Sequence, residues 1–191
     1  MGVTRILGID PGLTRCGFGV IDVLPGRKVR LVEVGVIRTG TDLELADRIG
    51  LVGTQIAELL DRFEPTQVAI ERVYAEANLI SVMGVAQVSG VVLYLSQVRG
   101  IPTVLHTPTE VKAAVTGSGK AEKSQVGAMV AKILGLESVP KPADAADALA
   151  IAICSAWRNP AVSGEVGDST SVTPAQKAWQ SAIRASRAKP E

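Results

Sequence analysis

The pattern of apolar positions divides the chain into short strands and longer helices. Uninterrupted aliphatic runs at 6–9 and 68–70 are typical of strands buried on both faces. From about residue 43 to 63 the period changes, and apolar side chains recur at helical spacing with Asp and Arg between them. The alternation of the two patterns predicts a sheet covered by helices.

The N-terminal strands are predicted to form an antiparallel meander. Turn sequences containing Pro11-Gly12 and Pro25-Gly26 separate three strand-like runs that end near residue 37, and connections this short cannot be parallel crossovers. Later strands are expected up to Glu71 and over 103–106. Helices are expected over about 78–99, 108–115, 122–134 and from the segment carrying Asp144 to about 157. The predicted fold class is α/β, with a five-stranded mixed sheet flanked by helices.

Composition bounds the domain organisation. Of 191 residues, 47% are hydrophobic but only 3% aromatic, which predicts one globular domain with an aliphatic core. We assign residues 1–158 to that domain. Residues 159–191 are rich in Ser, Thr and Gly, so we expect a tail that is weakly ordered or forms one short helix.

Charge, cysteine content and hydropathy argue against a broadly basic nucleic-acid-binding protein, a disulfide-rich protein and a membrane protein. Twenty basic residues balance nineteen acidic ones, so any nucleic-acid contact must be a local patch. Cys16 and Cys154 are too few for a disulfide framework and favour a reducing compartment. No apolar run approaches the roughly 20 residues that span a bilayer. We therefore expect a soluble, cytoplasmic protein without membrane contact.

Four carboxylates are the candidate chemistry. Asp10 and Glu71 each end a predicted buried strand, and adjacent parallel strands would bring both to one sheet edge. Asp144 and Asp147 are three residues apart and share a face of a helix. An uncompensated cluster of acids would raise its own pKa values, so the pattern indicates bound divalent cations.

Simpler interpretations exist for each acid. Asp10-Pro11-Gly12 is a common turn sequence, and Glu71 could pair with a neighbouring base. One Asp at 144 suits the positive end of a helix dipole. The helix dipole accounts less well for Asp147, which adjoins an apolar stretch.

Basic and aromatic residues supply further candidates. The loop at 116–120 resembles a phosphate-binding loop but lacks the Walker spacing, because Ala121 follows Lys120. Contact with a phosphate backbone and a simply solvated surface both remain open for this region. Tyr74 could stack on a base or be an ordinary surface tyrosine. His106 is the only histidine, so a histidine metal cluster or catalytic triad is excluded and a structural role is expected.

Four motifs carry a family resemblance. The segments at 6–14, 69–74, 121–126 and 143–152 resemble, in order and spacing, those of the bacterial Holliday-junction resolvases of the RuvC family. The resemblance covers about residues 4–158. It implies an RNase H-like fold and a structure-specific endonuclease that resolves four-way DNA junctions in recombination and repair. Paired symmetric nicks would leave 5′-phosphate and 3′-hydroxyl ends.

The resemblance also implies roles for individual residues. The four acids would be catalytic ligands of two Mg²⁺ per subunit, with Mn²⁺ as a substitute. Tyr74 would stack at the junction centre, Lys112 and Lys123 would hold DNA near the scissile phosphate, and Lys120 adds a charge that departs from the family pattern. The long helix after residue 78 would form a homodimer. The RuvA–RuvB branch-migration complex is the expected partner. The acids concerned are Asp10, Glu71, Asp144 and Asp147.

Two other function classes share part of the pattern. Actin-like ATPases and sugar kinases also open with a strand followed by Asp-x-Gly-x-Thr, but they need a second glycine-rich phosphate loop and a second such domain. A protein that binds junctions without cutting them would not need the four carboxylates.

Overall fold

The N-terminal meander is confirmed in the computed structural model, which describes residues 3–72 and 79–158. Strand β2 (Arg15–Leu24) pairs antiparallel with both β1 (Thr4–Asp10) and β3 (Lys28–Arg38). Strands β4 (Gln67–Glu71) and β5 (Thr103–His106) add parallel to β1, so the sheet order is β3-β2-β1-β4-β5. The predicted mixed sheet is therefore confirmed.

Within the described residues, five helices cover the two faces of the sheet. Some begin and end at local sequence signals; Thr107, for example, forms a capping box with Glu110 before Pro108, and Gly117 closes that helix in the left-handed region. None of the helices in the described ranges is both long and apolar enough to cross a membrane. The helices are α1 (Leu45–Phe63), α2 (Leu79–Gln97), α3 (Pro108–Thr116), α4 (Lys123–Leu134) and α5 (Ala143–Arg158).

Side-chain alternation along the strands creates two cores. In β1, Leu7 and Ile9 pack toward α1 and α2, whereas Ile6 packs toward α3, α4 and α5. The same alternation in β4 puts Val68 and Ile70 on the first side and Ala69 on the second. Asp10 and Glu71 follow in step with Ile6 and Ala69, so both belong to the face covered by α5.

Helix α5 lies unusually close to the sheet because the residues between them are small. A side chain at Gly8 would place its Cβ 2.8 Å from the backbone nitrogen of Ala152. One at Gly17 would lie 2.7 Å from the carbonyl carbon of Asp144. Real Cβ atoms do not approach backbone so closely, so only glycine fits at either position. The helix facing them is rich in alanine, and its residues from Ala145 to Ala156 are buried apart from Asp147.

We predict that Gly8→Ala destabilises the protein by about 1–3 kcal/mol, because the added methyl group forces α5 away from the sheet. The free energy of unfolding is measured by urea denaturation. Gly50→Ala is the matched control, since Gly50 is exposed in helix α1 and no atom lies within 4 Å of an added Cβ. That control should be more stable than the wild type by about 0.5–1 kcal/mol. Equal effects of the two changes would contradict the close approach.

Candidate active site

Asp10 and Glu71 lie next to each other at the carboxyl ends of two parallel strands. Ile9 is paired with Ile70, so the two acids follow directly after the last paired residues of β1 and β4. Both line one cavity of about 230 Å³, which also receives Asp147 from α5, Lys112 from α3 and Lys123 from α4. Residues far apart in sequence therefore meet at one edge of the sheet, as predicted.

Burial and mutual repulsion act strongly on Asp10. The pKa of its carboxyl is raised from 3.8 to about 7, first by burial and then by the charges of Glu71, Asp147 and Asp144. The Lys123 ammonium opposes this rise. A carboxyl that is costly to ionise in the protein alone is one that a bound cation would stabilise in its charged form.

Glu71 is also partly buried among acids, but two lysines rather than one oppose the rise in its pKa. Burial raises the pKa of its carboxyl, and the charge of Asp147 adds to the rise, whereas Lys123 and Lys112 lower it. The two lysines thus supply positive charge to the cavity in which the acids repel one another.

Lys123 is held directly by one of the acids. Its Nζ donates a hydrogen bond of 3.1 Å to Oδ2 of Asp147, and this bond raises the pKa of the ammonium above its ordinary value. The lysine is therefore protonated at neutral pH, and its side chain is mostly exposed to solvent. It is placed to attract a phosphate at the mouth of the cavity.

Asp144 is near the other acids but lies beside a different cavity. Its Oδ2 is 3.2 Å from Nε of Arg15, an ion-pair distance without hydrogen-bond geometry, and this buried oxygen has no hydrogen-bond partner. It lines a neighbouring cavity of about 350 Å³ with Gly12 and Thr14. Among the described residues, no three acidic, histidine or cysteine side chains form a group that could hold a metal ion as they are placed.

The other residues predicted to contact DNA lie in different parts of the structure or outside the described residues. Lys112 and Lys123 line the acidic cavity, but Lys120 is exposed in the turn before α4 and lines neither cavity. Tyr74 and the predicted tail at 159–191 lie outside the described residues. His106 is 95% buried beside Glu71 in the sheet register, which agrees with a structural role, and burial lowers the pKa of its imidazole.

Sequence reasoning missed two arginines beside the site. Arg15 opens β2 and pairs with Asp144, and Arg48 in the first turn of α1 lines the same cavity. The only signal for Arg15 was its position just after the turn that follows Asp10. The hydrogen-bond partners of Arg48 come from separate parts of the chain, so its only local signal is a basic residue in the first turn of a helix.

Comparisons with known proteins identify a family for this fold and site. The family model described as crossover junction endodeoxyribonuclease RuvC matches residues 6–155. A protein of that name from Leifsonia xyli subsp. xyli is 58% identical over 94% of this chain and 92% of its own. Another, from Paenarthrobacter aurescens, is 54% identical over 97% of this chain and 98% of its own.

Solved structures give a consistent result. T. thermophilus RuvC in complex with Holliday junction substrate superposes with a TM-score of 0.78 and 36% identity, covering 84% of this chain and 96% of that one. The yeast mitochondrial Holliday junction resolvase Ydc2 superposes with a TM-score of 0.57 at 16% identity, covering 79% of this chain and 78% of that one. At that identity the second comparison supports the fold alone.

The raised pKa of Asp10 predicts a pH-dependent gain in stability for Asp10→Asn in the presence of EDTA. The folded protein keeps this proton up to about pH 7, whereas an unfolded chain releases it near 3.8. The folded state therefore loses stability as pH rises between these values. Asparagine has no such proton, so the variant should gain on the wild type, on the order of 1–3 kcal/mol above pH 7.

Asp61→Asn is the control for this measurement by urea denaturation from pH 4 to 8. Arg99 donates hydrogen bonds to Asp61 and lowers the pKa of its carboxyl, so stability from this pair is present above the ordinary pKa and is lost as pH falls. Replacing Asp61 should lower stability at neutral pH, opposite in sign to the change at Asp10. A constant gap between wild type and Asp10→Asn over this range would refute the assignment.

Proposed function

Since the chain belongs to the crossover junction endodeoxyribonuclease RuvC family, we propose that the cavity of Asp10, Glu71 and Asp147, with Asp144 beside it, is its catalytic centre. The activity is that of a Holliday junction resolvase. The observation that carries the assignment of the site is the meeting of acids from β1, β4 and α5 beside two lysines.

The donor set fits hard divalent cations. All four candidate ligands are carboxylates, Asp10 and Glu71 are destabilised as anions by burial, and a buried oxygen of Asp144 lacks a hydrogen bond. Two Mg²⁺ ions, or Mn²⁺ in their place, would supply the charge that activates water and stabilises the leaving 3′ oxygen. Asp144 and Asp147 are engaged by Arg15 and Lys123, so these ion pairs must be exchanged when the acids become ligands.

The lysines have a positioning role in this proposal. Lys112 lines the same cavity as the acids, and Lys123 carries a proton at neutral pH. Both can bind the non-bridging oxygens of a phosphodiester and orient the scissile bond over the carboxylates. In-line attack then leaves a 5′ phosphate and a 3′ hydroxyl. A four-way junction is the substrate that the resolvase activity requires.

The proposed quaternary structure is a homodimer formed through α2. This helix contains no charged residue. Met83, Gly90 and Tyr94 recur along it at spacings of seven and four and share one exposed face, with Tyr94 66% exposed. An added Cβ at Gly90 would meet no atom within 4 Å, so the face is open to a second subunit. Two sites in one dimer would cut two strands symmetrically.

Other expectations rest on the family alone or lie outside the described residues. We propose Tyr74 as a base-stacking residue and the RuvA–RuvB complex as a partner on the strength of the family resemblance. Lys120 is retained as a peripheral contact with the DNA backbone. Both cysteines are buried free thiols, which supports a reducing, cytoplasmic location.

We predict that Asp10→Asn binds a synthetic four-way junction but nicks it at least about 10²–10³-fold more slowly, because one carboxylate of the cluster is lost. Nicking is measured on denaturing gels with Mg²⁺, and binding by fluorescence anisotropy with Ca²⁺. Asp61→Asn, remote from the cavity, is the matched control and should nick normally. Wild-type protein in EDTA should not nick. Full activity of Asp10→Asn would remove this residue from the catalytic set.

We predict that Tyr94→Glu converts the dimer into monomers, since an unpaired carboxylate would be buried in the interface. Sedimentation equilibrium at micromolar concentration gives the mass. Val3→Glu is the control, because Val3 is a comparably exposed apolar residue at the start of the chain. A Tyr94→Glu protein that sediments as a dimer would place the interface elsewhere.

A further inference from the structure

The cavity beside Asp144 adjoins the catalytic cavity but has a different lining. It is formed by the loop that follows Asp10, by Arg48 of α1 and by the backbone and small side chains of α2 near Gly84. Its volume of about 350 Å³ is larger than that of the acidic cavity. Asp144 is its acidic member, and it lies one helical turn before Asp147, so the two cavities share α5 as a wall.

Arg48 is fixed in this cavity by two hydroxyl groups. Its Nε donates a hydrogen bond of 3.0 Å to Oγ1 of Thr39, and its Nη2 donates one of 2.8 Å to Oγ1 of Thr14. Thr39 in turn donates to the carbonyl oxygen of Leu13 over 2.6 Å. The guanidinium is therefore held in place, while within residues 3–72 and 79–158 its Nη1 group has no hydrogen-bond partner.

The charges leave a net positive site. Arg15 is 3.2 Å from Asp144, so these two charges compensate each other. Arg48 has no acidic partner in the described part of the chain, and threonine hydroxyls are neutral. Arg38 stands directly opposite Arg15 in the β2–β3 register and is exposed, which adds positive charge at the same end of the sheet. A fixed guanidinium with free N–H donors is suited to bind a phosphate.

We propose that Arg48, with Arg15, forms a subsite for a backbone phosphate of the DNA strand being cut, next to the scissile phosphate. This inference rests on the proposed function, because it places the subsite beside the carboxylates assigned to catalysis. The strand would then be held on both sides of the reacting phosphorus, by Lys112 and Lys123 in one cavity and by Arg48 in the other. Arg48 is a positioning residue in this arrangement.

A coupling experiment tests the subsite. Junctions carrying a single neutral methylphosphonate at each position around the cleavage site are bound by the wild type and by Arg48→Gln with Ca²⁺ present. Affinity is measured by anisotropy over a range of salt concentrations. We expect Arg48→Gln to weaken binding of the unmodified junction about 10-fold and to reduce the salt slope by about 1. One methylphosphonate should weaken wild-type binding similarly yet have no further effect on Arg48→Gln.

Arg62→Gln is the matched control, since Arg62 lies in the same helix α1, fourteen residues later, and its side chain is 69% exposed. It should retain the full methylphosphonate effect. If Arg48→Gln fails to fold, Arg15→Gln undergoes the same cycle and should lose sensitivity to the same phosphate. Additive effects at every position would overturn the subsite while leaving the proposed function intact. A wild type that binds no junction would overturn both.

Discussion

The close approach of helix α5 to the sheet is the constraint on which the site depends. Glycine at 8 and 17 lets the helix backbone lie directly on β1 and β2, at a distance that any side chain would increase. The same contact brings the first turns of α5 beside the ends of β1 and β4. Because of it, Asp147 reaches the cavity of Asp10 and Glu71, and Asp144 lies close enough to raise the pKa of Asp10. Packing of small residues therefore determines the electrostatics of the site.

Bringing four acids together costs stability, and the fold offsets part of the cost with cations. Asp10 is the most strongly affected, because it is buried and is repelled by three neighbours. Lys123 and Arg15 each engage one acid of α5. These ion pairs are partly exposed, so solvent screens them and the repulsion is only partly relieved. An acidic cluster of this kind would gain stability on binding cations, which agrees with the metal site proposed above.

Much of this arrangement could be predicted from the sequence. Aliphatic runs that end in an acid located β1 and β4, and their parallel pairing placed Asp10 and Glu71 side by side. The side chain of Asp144 could not be predicted in the same way. The sequence does not show which charged group the carboxylate of Asp144 faces, because that depends on three-dimensional distances. In the structure the carboxylate faces Arg15. Helical spacing alone gives the shared face of Asp144 and Asp147.

Arg48 shows a different limit of sequence reasoning. Its hydrogen-bond partners come from the loop after β1 and from the end of β3, so no window of sequence contains the interaction. A basic residue in the first turn of a helix is also unfavourable for the helix dipole, which could have marked it as a residue kept for another reason. Lys120 is the converse case, because a local loop pattern singled it out although it lines neither cavity. It lies within a suggestive loop but is directed to solvent.

The loop at 11–14 connects the sheet edge that bears Asp10 to helix α2. Leu13 packs closely against α2. A Cβ added at Gly84 would lie 3.2 Å from the Cβ of Leu13. The adjacent Thr14 accepts a hydrogen bond from Arg48, and the next residue, Arg15, pairs with Asp144. A displacement of α2 would therefore move the same short loop that begins just after Asp10. If the dimer forms through α2 as proposed, subunit association and the geometry of the carboxylates are coupled through this loop.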